Sequence, residues 1–151
     1  MAASRLRPDP RMRLAPRSLK LSLTLSLACL AACSGPKPDL SALGDPAPRL
    51  IGHWATDSGD QLYYGPLNAT TKTGAYTLIQ SNGKRFDHAY SVQASDPSKQ
   101  AIQATYLFAD GDRAAVAFEL STDGKTLAST QEITGMQIST DATRVDDRTA
   151  P

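Results

Sequence analysis

RFDHAYSVQASDPSKQAIQATYLFADGDRAAVAFEL, residues 85–120, alternates apolar and polar side chains in three successive runs. In an extended chain Phe86, His88, Tyr90, Val92 and Ala94 fall on one face, with Arg85, Asp87, Ala89, Ser91 and Gln93 on the other. Ile102, Ala104, Tyr106 and Phe108 repeat the pattern, and so do Ala114, Val116, Phe118 and Leu120. A period of two is the signature of strands that lay one face on a core. Ser81-Asn82-Gly83-Lys84, Asp110-Gly111 and Asp123-Gly124 punctuate the runs, and Asn, Asp and Gly accept the positive φ of tight hairpin turns. Neighbouring strands are therefore expected to be antiparallel.

The same alternation, followed outward, predicts strands near 49–56, 61–65, 74–80, 85–94, 100–108, 113–121, 126–133 and 141–146. Within 97–109 a helix opening at Asp96-Pro97 competes, but Thr105-Tyr106-Leu107-Phe108 favours extended backbone. The fold class is all-β, a meander of seven or eight short strands. Such a meander leaves two exposed edges unless it curls closed, so a small barrel or half-barrel is expected.

Over 151 residues the chain carries 16 Lys+Arg against 15 Asp+Glu, a balance that excludes a basic nucleic-acid binder. The charge is unevenly spread: positions 1–32 hold six basic residues and one acid, +5, and the remainder ten basic and fourteen acidic, −4. Leu21 to Ala32, LSLTLSLACLAA, is an uncharged run of 12 residues after basic residues and before small ones, which reads as a secretory signal peptide over residues 1–32. A membrane-spanning helix needs about 20 apolar residues, more than this run supplies. An organellar transit peptide would carry basic residues through it, and it has none. Initiation at Met12 rather than Met1 would shorten the leader to 21 residues.

At Leu30-Ala31-Ala32-Cys33 the sequence resembles the lipobox of bacterial lipoproteins. The resemblance implies cleavage before Cys33 and attachment of a diacylglyceryl group to its thiol. Each buried methylene contributes about 0.8 kcal/mol, so several acyl chains hold a protein on a bilayer that it does not span. By the same resemblance, Ser34 after the cysteine implies an outer-membrane anchor facing the periplasm of the bacterial cell envelope. The plainer alternative pairs Cys29 with Cys33, but cleavage would remove Cys29 and leave the mature chain without an internal bridge.

Ser34 to Pro48, SGPKPDLSALGDPAP, carries four prolines and no aromatic residue, so residues 33–48 read as an extended tether and residues 49–148 as the folded domain. All nine aromatic residues lie from Trp54 to Phe118, which localises the core. Gly52-His53-Trp54, the hairpin meander, LSTDGKTL at 120–127 and Thr143-Arg144-Val145 together resemble the lipocalin-like (calycin) superfamily over residues 50–146. That resemblance implies a Trp54 indole closing the barrel base, with Arg144 over its face. The domain is shorter than a full lipocalin, which implies a smaller ligand cavity. Without the resemblance, Trp54 is the largest core residue of some other small β fold.

The chemistry on offer is sparse. There is no glycine-rich phosphate loop, and His53 and His88 have neither His-x-His nor His-x-x-x-His spacing, so no catalytic residue, metal or cofactor is expected. His88, between Phe86 and Tyr90, reads either as a hydrogen-bonded interior histidine or as the polar handle of a ligand site. Candidate ligand-binding residues are His88, Tyr90, Tyr106, Tyr64 and Trp54, all on the expected inner face. The connection from Tyr63 to Thr73 is the longest in the domain and reads as a recognition loop at a barrel mouth or as a solvated connector. The expectation is a non-enzymatic protein, bound to the membrane through lipid on Cys33, whose β domain takes a small apolar ligand or an envelope component. The alternative is a surface-acting inhibitor, assembly accessory or spacer with a filled core and no ligand; on either reading a half-barrel could pair with a second copy as a homodimer. An envelope hydrolase is the remotest reading, since it needs a histidine beside both a carboxylate and a hydroxyl.

Overall fold

The computed structural model describes residues 38–151; the leader, the lipobox and Cys33 lie outside the described residues. Eight strands follow in chain order: β1 (Gly52–Thr56), β2 (Gln61–Tyr64), β3 (Thr73–Ile79), β4 (Arg85–Asp96), β5 (Ala101–Leu107), β6 (Arg113–Leu120), β7 (Thr126–Ile133) and β8 (Met136–Asp146). Each pairs antiparallel with the next, and β1 pairs with β8, so the meander closes as a complete eight-stranded barrel. The segment where helix competed is β5, entered through a turn at 97–100.

Alternation is what drives closure. Along β6, exposed and buried residues alternate without exception, with Ala114, Val116, Phe118 and Leu120 inside. Trp54, Leu62, Tyr64, Tyr76, Tyr90, Ile102 and Tyr106 fill the same interior from the other strands. Apolar inside and polar outside is the reverse of a membrane-spanning barrel. Among the described residues, no helix is long and apolar enough to cross a membrane.

Three stretches depart from the expected pattern. Residues 49–51 are not strand: Pro46, Ala47 and Pro48 set up a short helix, α1 (Ala47–Leu50), that buries Ala47 and Leu50. The tether expected over 33–48 accordingly ends sooner. The Leu40 amide donates to the Ser98 carbonyl, and the Gln100 side-chain amide donates to the carbonyls of Leu40, Gly44 and Pro97. Arg49 completes the clamp by donating to Gln100 Oε1 and to the carbonyls of Ser121 and Thr122. At the other end of the chain, β8 begins five residues earlier than 141, because Thr134 and Gly135 adopt φ of 49° and 77° and make a two-residue hairpin turn. A bulge between Val92 and Ala94 carries β4 on to Asp96.

Connections 57–60, 80–84, 108–112 and 134–135 gather at one end of the barrel, the mouth; the chain entry and connections 65–72, 97–100 and 121–125 gather at the other, the base. The Tyr63–Thr73 connection thus lies at the base, not at the mouth. It is tied down by Asn68, whose side-chain oxygen accepts from the Thr70 and Thr71 amides.

Candidate functional site

The base is plugged. The buried Trp54 indole donates to the Leu50 carbonyl at 2.8 Å, and the Arg144 guanidinium carbon stands 5.1 Å from the centre of its ring. Arg144 also donates to the carbonyls of Arg49 and Ile51, each at 2.8 Å, and pairs with Asp147. Gly52 makes room for it: φ is +136°, and a Cβ there would lie 3.0 Å from Arg144 Nη2 and from the Asp146 carbonyl. The contact implied for Trp54 and Arg144 is thus present as a packing feature of this barrel.

Above the plug is a layer of tyrosines. Tyr76 stacks on Tyr64 at 5.0 Å and on Tyr106 at 4.6 Å, and Phe118 meets Tyr64 edge-on at 5.6 Å. The Tyr64 and Tyr106 hydroxyls are 2.6 Å apart, and the Tyr90 hydroxyl donates to the Gly65 carbonyl at 2.8 Å. Tyr90 lies directly on Gly74, where a Cβ would come within 2.6 Å of its ring. Burial pushes the Tyr64 and Tyr106 phenols well above their ordinary range and those of Tyr76 and Tyr90 up to about 12. The layer is therefore uncharged, and none of its phenolates is available as a base at neutral pH.

The mouth is different. Tyr76 and Tyr106 floor a cup of about 390 Å³ whose walls are Leu78, Phe86, His88 and Phe108 on one side and Gln131 and Ile133 on the other. Ligand pockets run from about 300 to 1,000 Å³, so the cup suits a small molecule and not a long one. Phe108 meets the His88 ring edge-on at 4.9 Å, and Lys84 Nζ caps the Phe86 face at 4.6 Å. His88 Nδ1 is buried without a hydrogen-bond partner. An unsatisfied buried polar atom costs about 1–3 kcal/mol, and because Nδ1 is buried a molecule in the cup meets the rest of the His88 ring.

His88 and Tyr106 therefore line the mouth, Tyr64 holds the Tyr106 hydroxyl from below, and Tyr90 and Trp54 belong to the filled interior and the plug. The walls owe as much to Leu78, Phe86, Phe108 and Ile133, whose every-second-residue spacing from Tyr76, His88, Tyr106 and Gln131 puts them on the inner face but does not say at which height they sit. His53 does not approach His88. It lies on the outer face, stacked on Tyr63 at 4.2 Å, with Nε2 2.6 Å from Gln61 Oε1 and Nδ1 3.4 Å from Asp146 Oδ2. The Arg148 guanidinium, and less so His53, holds the Asp146 carboxyl well below the ordinary range. No serine or threonine hydroxyl bonds either histidine among the described residues, and no group of three His, Cys, Asp or Glu side chains there is placed to hold a metal. No protein-family model matches the chain, and no curated protein matches it.

Proposed function

We propose that this chain is a lipid-anchored envelope protein whose barrel mouth binds a small, largely apolar molecule that offers one polar group to His88. The observation that carries the reading is the open aromatic cup at the mouth, with the His88 ring set in its wall. The leader and lipobox supply the anchor. Leu40 follows Cys33 by seven positions, a span of at most roughly 25 Å, and Leu40 is fastened to the base. A lipid on Cys33 would tether the barrel through the segment that enters it at Leu40.

The experiment is native mass spectrometry of the full chain released from its own membranes. A single small co-purifying mass is expected on the wild type and absent from Leu78→Trp, which fills the cup. Cys33→Ser is expected to lose incorporation of labelled palmitate. A second reading, a surface-acting envelope protein, is favoured by the filled interior beneath Tyr76 and Tyr106; it predicts no co-purifying mass on either form.

A further inference from the structure

β8 is paired on both sides only toward its C-terminal end. Its ladder with β7 runs from Met136 to Thr143, whereas β1 reaches it only from Ala142 onward. Residues 136–141 therefore have one bare edge. The two-residue turn makes Ile133 and Met136 a hydrogen-bonded pair, so Met136, Ile138 and Thr140 turn their backbone groups toward β7. Those of Gln137, Ser139 and Asp141 point away from the sheet, and among the described residues no backbone group outside the β7 ladder bonds Gln137 or Ser139.

Both faces of this strand are uncovered as well. On the inner face, at the rim of the mouth, Met136 is 63% exposed and Ile138 43%, with Ile133 at 38% across the turn; Gln137, Ser139 and Asp141 are exposed on the outer face. Proteins commonly blunt such an edge with proline, lysine or a bulge. MQISTD, residues 136–141, has none of these.

The surroundings select the occupant. Asp141 shares an outer hollow with Asp57 and Glu119, and among the described residues none of these three carboxylates pairs with a cation. A second copy joined edge to edge would bring two such hollows together at a cost in like-charge repulsion. A cationic segment would relieve the charge instead. We infer that residues 136–141 are the docking edge for an extended polypeptide that alternates apolar and basic residues. Its backbone pairs with Gln137 and Ser139, its apolar side chains rest on Met136 and Ile138, and its basic side chains stand beside Asp141. This docking depends neither on occupancy of the mouth nor on the lipid.

The test is amide hydrogen exchange on the full chain in detergent, titrated with acetylated, amidated Lys-Val-Lys-Val-Lys-Val. Exchange at Gln137 and Ser139 is expected to slow by about tenfold or more. The Glu-Val counterpart, and the Lys-Val peptide N-methylated along its backbone, are expected to leave both amides unchanged. Asp141→Lys should weaken protection by the basic peptide and narrow its preference over the acidic one, since Asp57 and Glu119 remain. Ser139→Pro should abolish the response while keeping the β7 ladder, since the amide it removes faces the bare edge. No protection at either amide overturns the inference, as does equal protection by the acidic or N-methylated peptide. So does a chain already dimeric, with both amides protected before peptide is added.

Discussion

The Tyr64 and Tyr106 hydroxyls lie 2.6 Å apart in the barrel interior, on strands β2 and β5 that are not neighbours in the sheet. The pair spans the barrel, so each phenol satisfies the other far from water. Removing one hydroxyl, in Tyr64→Phe or Tyr106→Phe, strands its partner and is expected to cost about 1–3 kcal/mol in urea unfolding. The double variant should cost less than the sum of the two. Strict additivity would show that the two hydroxyls do not depend on each other.

Alkaline stability follows from the same layer. Burial pushes the Tyr76 and Tyr90 phenols up to about 12 in the folded barrel and holds those of Tyr64 and Tyr106 well above their ordinary range, against 10 in the unfolded chain. Because the folded values are raised, the stabilisation is complete below pH 10 and is lost as pH climbs from 10 toward 12 and beyond. Tyrosinate absorbance and loss of near-ultraviolet circular dichroism are expected to rise together in one cooperative step. Full tyrosinate absorbance near pH 10 with the barrel intact would show that these phenols are not buried as described.

At the base, Gly52→Ala is expected to destabilise by about 1–3 kcal/mol, because it combines a strained φ with a Cβ pressed on Arg144. Arg144→Met leaves the carbonyls of Arg49 and Ile51 without their donor and is expected to cost roughly 2 kcal/mol or more. The two losses should not add, since both act on one contact; thermal unfolding of the single and double variants measures this.

Much of this barrel is legible in the sequence because β5, β6 and the first half of β7 alternate and the turns use Asn82-Gly83, Asp110-Gly111 and Asp123-Gly124. The start of β8 is not, because Thr134-Gly135 turns the chain without the usual Asn or Asp, and Met136 to Thr140 alternates without a strong apolar face. Pro46-Ala47-Pro48 has the same composition whether it tethers or nucleates a helical turn; burial of Leu50 settles which, and burial is a tertiary fact. For the candidate site, alternation puts His88 and Tyr106 inside with Tyr90 and Trp54. Height along the barrel separates mouth from plug, and it depends on strand register across the sheet, which no single run of residues encodes.

Ligand binding is proposed for the mouth alone. The direct measurement is nuclear magnetic resonance of the full chain titrated with 1-anilinonaphthalene-8-sulfonate, following the His88 ring nitrogens, the Leu78 and Ile133 methyls and the Trp54 indole. Binding of one molecule is predicted to shift His88, Leu78 and Ile133 while the Trp54 indole stays in place, and Leu78→Trp should suppress the response. Perturbation centred on Trp54, or an unchanged His88 at saturation, would contradict it.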